Sequence, residues 1–223
     1  WDHRAPFPEV LVPRYLRLPV RGRLASDGSE LAPVALEDVD AAARVFEREG
    51  VESVAICLFN AYLDGRHERQ VAERLARTWP GQWISLSSDV MPTMGEYERG
   101  STAVVNAYVA PKVTSYLRAL DDKLRQLGLP RSLLLLQSNG GAVSVEQVAA
   151  RPVMLVLSGP AAGVGALKGC ADPGAAANLI SMEIGGTSCD VMVMARGDVP
   201  VTDSLVIDGY HLTTDRKSTR LNS

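Results

Sequence analysis

The chain has little of what the commonest catalytic and binding devices need. Of its 223 residues only three are cysteine and three histidine. Cys57, Cys170 and Cys189 are scattered without metal-ligand spacing, which argues against a zinc or iron–sulfur site and against a disulfide framework. Buried thiols in a reducing cytoplasm are the simpler expectation for them. His67 is followed by Glu68, but the second histidine of a zinc-hydrolase helix is missing, so all three histidines read as surface or structural groups. No apolar run reaches membrane length. Basic excess is also lacking: the net charge is −3 and the isoelectric point about 5.7, which argues against a nucleic-acid surface. Neither a P-loop ending in Gly-Lys-Ser/Thr nor a Ser-His-Asp ordering is visible.

What is present is a helix-and-strand alternation. Val39, Ala42, Ala43 and Phe46 share one helical face, with Gly50 as the stop. Val51 to Phe59 and Trp83 to Val90 read as strands, separated by a helix over 64–78, so a parallel unit is expected. Glu96 to Leu127 is the longest helical stretch. Val113, Tyr116, Leu117, Leu120, Leu124 and Leu127 form its apolar face, and Pro111 marks a kink or a restart. The entry Glu96-Tyr-Glu-Arg reads as a solvated cap or as a contact to a partner domain. Leu133 to Leu136 and Val153 to Leu157 are expected as strands of a second sheet. The class is α/β.

The densest chemistry lies between Leu179 and Val199. One apolar run ends at Gly185-Gly186-Thr187-Ser188, a second begins behind Asp190, and Arg196-Gly-Asp turns the chain toward a short strand at 199–201. Adjacent glycines let successive N–H groups approach an anion, and the hydroxyls of Thr187 and Ser188 add donors. Glu183 and Asp190 flank the turn and can hold a cation. Phosphate with a divalent metal suits that set, and an ordinary hairpin turn is the alternative. Asn139-Gly140-Gly141 reads first as a turn, and Ser158-Gly159-Pro160 as a helix start capped by Ser158. Each loop follows an expected strand, so all three point to one end of a sheet, where α/β proteins bind ligands.

Leu136-Gln-Ser-Asn-Gly-Gly, Arg151-Pro-Val through Ser158-Gly-Pro-Ala-Ala-Gly-Val and Glu183-Ile-Gly-Gly-Thr-Ser-Cys-Asp-Val resemble, in order and spacing, the large subunit of the hydantoinase A/oxoprolinase family. Val54-Ala-Ile-Cys-Leu, His67-Glu-Arg, Glu96-Tyr-Glu-Arg and Asn106-Ala-Tyr-Val-Ala-Pro are similar to it too. The resemblance implies an actin-like ATPase (ribonuclease H-like) architecture of mixed sheets with flanking helices. It also implies an enzyme that uses ATP and Mg2+ to phosphorylate the carbonyl of a cyclic amide of the hydantoin or oxoproline type. A ketone carboxylase subunit and a non-catalytic nucleotide-binding regulator are the alternatives. By this resemblance the nucleotide-holding residues are Gly185, Gly186, Thr187, Ser188, Asn139, Gly140 and Gly159. The metal ligands are Glu183, where the family typically has Asp, and Asp190. A hydantoinase B-type partner is expected, and no catalytic residue is assigned. The expected divisions are 1–95, 96–214 and a tail, 215–223, that reads like translated sequencing adapter, so the chain is expected to be an internal fragment that lacks a first phosphate hairpin.

Overall fold

The computed structural model describes residues 10–170, 178–186, 189–200, 202–207 and 209–216. By contacts the chain divides into two units, 1–112 with 206–213, and 113–205 with 214–223.

The first unit opens with a short antiparallel pair, β1 (Arg23–Leu24) and β2 (Glu30–Ala32). Asp27 turns it by accepting hydrogen bonds from the Ser29 N–H and hydroxyl. Helix α1 (Leu36–Arg48) buries Val39, Ala42, Ala43 and Phe46, the face its periodicity predicts. It stops at Gly50, where φ is +66°. There the Gly50 and Val51 amides return to the carbonyls of Glu47 and Phe46, the paired closure that a left-handed residue permits. Strand β3 (Ser53–Ile56), helix α2 (Arg66–Thr78) and strand β4 (Trp83–Leu86) follow. The two strands are parallel neighbours, registered from Ser53↔Trp83 to Ile56↔Leu86, as expected. Both are four residues long, shorter than expected; β4 ends where Ser87–Val90 forms one helical turn, α3. Val54, Ile56, Val71, Leu75 and Trp79 complete the core over α1. Helix α4 runs from Glu96 to Gln126 with Pro111 inside it, so the proline neither ends nor restarts the element.

Asp38, in the first turn of α1, is held by Arg21. Nε and Nη2 reach its two oxygens at 2.8 and 2.9 Å, and the Arg21 N–H adds a third bond at 2.9 Å. Hydrogen bonding from Arg21 lowers the Asp38 carboxyl to about 2. A carboxylate depressed on folding stabilises the fold above its unfolded value and stops doing so as pH falls through its folded value. The Asp38 contribution is therefore complete at neutral pH and disappears between about pH 4 and pH 2. Asp38→Asn should lower the urea midpoint at pH 7 and leave it nearly unchanged at pH 2; equal lowering at both pH values would contradict this.

In the second unit the residues of α4 from Val113 onward bury Thr114, Leu117 and Asp121, whereas Tyr116 and Leu127 are exposed. The buried stripe is thus narrower and more polar than the apolar period suggested. Strand β5 (Leu134–Leu136) pairs antiparallel with β6 (Ala142–Ser144). The expected partner, Val153 to Leu157, is not a strand: Pro152–Leu155 is a 3-10 turn with the proline at its start. Proline fixes φ near the helical value and lacks the N–H that a ladder would require. Between them, α5 (Val145–Ala150) starts with a reciprocal cap between Ser144 and Gln147.

Helix α6 (Ser158–Cys170) then packs on a hairpin, β7 (Leu179–Ile184) and β8 (Cys189–Met194). Val164, Leu167, Met192 and Met194 form the buried contact, joined by Leu179 and Val199. The Arg196-Gly197 turn is as expected, with both φ values positive. Residues 199 and 200 are not a strand; the next pair is β9 (Thr202–Ile207) with β10 (Tyr210–Arg216). Of the expected tail, 215 and 216 lie in β10 and 217–223 lie outside the described residues. Cys57, just past β3, and Cys189, at the start of β8, are exposed rather than buried. Among the described residues no helix is long and apolar enough to cross a membrane.

Candidate functional site

Hairpin β7–β8 sets Glu183 opposite Asp190 and Ile184 opposite Cys189. Alternation along the pleat directs Glu183 and Asp190 to one face. Directly opposed residues have Cβ atoms about 4.5–5.5 Å apart, and two like charges so placed destabilise the ladder unless something of opposite sign joins them. Both residues are half-buried. That face meets α6 at Gly163, where an added Cβ would collide with the Glu183 carboxylate and the Met192 methyl. Only a glycine lets the carboxylate lie there.

The packing also fixes a direction. Leu179 at the start of β7 joins the cluster around Val164 and Leu167, whereas Glu183 near its end lies on Gly163. Strand β7 therefore runs toward the N-terminal half of α6 and delivers Gly185 and Gly186 toward that end. Gly186 has φ outside the left-handed region, and a Cβ there would meet nothing within 4 Å. Thr187 and Ser188 lie outside the described residues.

Helix α6 begins at Ser158 itself, so Ser158 is the first helical residue and not the cap. The capping place falls to Leu157, which has no acceptor and sits at φ +60°, a region costly for a leucine. The first turn carries no acidic residue. Pro160 has no N–H, which leaves the Ser158 and Gly159 amides as the unmatched donors of the first turn. Gly159 has open space around its Cα.

The loop after β5 is tied to the same end. Gly140, at φ +81°, donates to the Gln137 carbonyl, and Asn139 Oδ1 accepts from the Gly141 N–H at 2.8 Å. Asn139 thus spends its carbonyl on its own turn. The Ser138 N–H donates to the Met154 carbonyl at 2.8 Å, anchoring the loop on the 3-10 turn that leads into α6. The loop at 137–141 is fastened beside the approach to α6 and β7 runs along that helix, but the loops do not share one sheet: β5–β6 and β7–β8 are separate two-stranded sheets among the described residues.

Sequence reasoning missed two things here. One is Gly163, whose requirement arises only from the carboxylate across from it. The other is Arg99 at the entry of α4: Tyr97 and Glu98 there are exposed, as a solvated cap would have them, but Arg99 is not. Arg99 is fully buried, as are Glu68 and Ser87. Ser87 Oγ donates to Glu68 at 2.6 Å and accepts from Arg99 Nε at 3.1 Å. His67, also buried, meets Glu30 at 3.0 Å, a structural role. Among the described residues no group of three or more His, Cys, Asp or Glu could hold a metal.

Residues 99–220 match the hydantoinase/oxoprolinase family model, and residues 3–79 match that of the hydantoinase/oxoprolinase N-terminal region. The chain is 34% identical over 197 residues to caprolactamase subunit alpha of Pseudomonas jessenii, covering 88% of this chain and 28% of that one. Against the crystal structure of ATP-dependent caprolactamase from Pseudomonas jessenii it aligns with a TM-score of 0.88 at 31% identity, over 99% of this chain and 32% of that one. It is 33% identical over 149 residues to 5-oxoprolinase of Saccharomyces cerevisiae, covering 66% of this chain and 11% of that protein. The chain therefore spans about a third or less of the relatives it matches. The expected α/β class and actin-like ATPase architecture stand with this likeness. By motif, family model and fold, the chain belongs to the hydantoinase/oxoprolinase family.

Proposed function

We propose that the intact protein uses ATP to activate the ring carbonyl of a cyclic amide for hydrolysis, and that the gathered loops of the second unit hold the nucleotide's phosphates. The observation that supports this reading is the start of α6, whose first turn carries no acidic residue and beside whose approach the loop at 137–141 is fastened through Ser138 and Met154. A helix N-terminus without its own cap or acid favours an anion. The names of the relatives, an ATP-dependent caprolactamase and a 5-oxoprolinase, supply the substrate class.

On this reading Gly185, Gly186 and Gly159 let phosphate oxygens approach backbone N–H groups, with Thr187 and Ser188 adding hydroxyls. Asn139 and Gly140 shape the neighbouring loop. Glu183 and Asp190 suit a hard cation by donor chemistry, and Mg2+ held through water relieves the opposed charges. Bound Mg-ATP supplies the phosphoryl group that makes the carbonyl oxygen a leaving group; the chain positions and neutralises charge. A partner subunit of the hydantoinase B type and a cytoplasmic setting belong to the same proposal, since the caprolactamase relative is itself named a subunit.

Gly186→Val in the intact protein tests it. Because a Cβ there meets open space among the described residues, the unliganded melting temperature should stay within a degree or two of wild type, as for an ordinary surface change of about ±0.5 kcal/mol. The stabilisation by Mg-ATP, about 2.7 kcal/mol at a hundred times Kd, should disappear. A normal Mg-ATP shift in the variant would reduce the turn to a plain hairpin.

A further inference from the structure

The second unit holds one buried polar side chain whose position and lack of a partner point beyond structure. Ser138 is 1% exposed, and its Oγ has no hydrogen-bond partner among the described residues. Its backbone N–H is used, on the Met154 carbonyl, so the loop is fastened while the hydroxyl is left over. A buried hydroxyl without a partner lowers stability, and removing it should cost the fold nothing. Such a group is open to completion by a ligand where it lies in a loop that can reach one.

The surroundings specify what that is. Ser138 is held against the turn from which α6 starts, four residues after Met154. That start has Leu157 at φ +60° in the capping place and no acid in its first turn. The idle hydroxyl therefore belongs to a loop whose backbone is fastened to Met154, four residues before the first amides of α6. Donors without acceptors, and no nearby carboxylate on the helix, suit an oxyanion and not a cation or an amide N–H. We propose that the Ser138 hydroxyl donates to a phosphate oxygen of the bound nucleotide, beside the first-turn amides of α6. This assignment rests on the nucleotide reading above and adds a ligand-contacting residue to it.

The test is Ser138→Ala in the intact protein, with Mg-ATP affinity measured by calorimetry and melting temperature measured with and without Mg-ATP. The unliganded melting temperature should be equal to wild type or higher, while Kd for Mg-ATP should rise about tenfold or more, the scale of one hydrogen bond to a charged group. Ser138→Cys, which keeps the volume but donates weakly, should weaken binding in the same direction if the alanine variant folds poorly. Thr114→Val is the control. Thr114 is fully buried and its hydroxyl is likewise without a partner, yet it lies mid-helix in α4, so its removal should leave Kd unchanged. Wild-type affinity in both Ser138 variants overturns the inference, as does a lowered unliganded melting temperature with unchanged Kd, which would mean that the hydroxyl serves the fold. Absence of any Mg-ATP effect in the wild-type protein is a different failure, that of the nucleotide reading itself.

Discussion

Arg99→Met should lower the unfolding free energy by about 3–5 kcal/mol, the range seen when one partner of a buried ion pair is removed. The guanidinium has no exposure and every face of it is used. Nη1 donates to the Thr93 carbonyl at 3.1 Å and Nη2 to the Leu58 carbonyl at 3.0 Å. Nη2 also meets the Glu96 carboxylate, and Nε donates to Ser87 Oγ. Through that hydroxyl the charge reaches Glu68, itself buried, whose remaining bonds come from the amides of Leu58 and Ser88, both at 2.8 Å. Methionine fills much of the volume but leaves the Glu96 carboxylate without its cation and two carbonyls without donors. Each unsatisfied buried group costs about 1–3 kcal/mol. Lysine should recover only part of the loss, because a point charge cannot reproduce the fork. Urea unfolding followed at Trp79, in the core of the first unit, reads the effect. A change below about 1 kcal/mol would mean that solvent already screens Glu96.

That network explains why the burial of Arg99 was not read from sequence. Glu96-Tyr-Glu-Arg has the composition of a solvated helix start, and charged residues are almost never fully buried unless paired. The pairing here is non-local: Glu68 comes from α2, Ser87 from α3 and Leu58 from the segment after β3. Nothing in a window around Arg99 shows them. By contrast the face of α1 was legible in full, because Val39, Ala42, Ala43 and Phe46 differ sharply in polarity from their neighbours at helical period. The strands β3 and β4 were legible for a related reason. Their helical connection, α2, made parallel pairing the default.

Short apolar runs were the weak point. Val153 to Leu157 has a strand's composition, yet Pro152 directs it into a 3-10 turn, and periodicity alone does not separate the two over five residues or so. The actual partner of β5, Ala142–Ser144, is three residues long and carries too little pattern to register. At the candidate site the loops themselves were legible as glycine clusters. Their common reference was not, since it depends on how α6 packs. The sequence pattern suggested one sheet edge, whereas the strands before the loops belong to separate two-stranded sheets among the described residues.

Gly163→Ala should lower Mg-ATP-dependent turnover of the intact protein about a hundredfold while leaving it folded, the scale of a misplacement near 1 Å at a reacting centre. Two effects oppose one another at this position. Alanine in a helix interior is favoured over glycine by about 1 kcal/mol, but the new Cβ would overlap the Glu183 carboxylate and the Met192 methyl. Met192 is 1% exposed and has little room to move, so the half-buried Glu183 gives way. Both obstructing atoms end flexible side chains, so relief comes by rotating the carboxylate and not by breaking the backbone. The stability cost therefore stays within about 1–3 kcal/mol before the helical gain is counted. The loss falls on the pairing of Glu183 with Asp190, which the proposed cation needs. Gly165→Ala separates packing from propensity: nothing lies within 4 Å of its Cβ, so it should stabilise by about 0.5–1 kcal/mol and leave turnover unchanged. Raising the Mg2+ concentration should restore part of the activity of Gly163→Ala, because displaced ligands weaken metal binding without removing it. Full activity in Gly163→Ala would show that the Glu183 carboxylate can leave α6 without consequence, and would remove it from the proposed metal site.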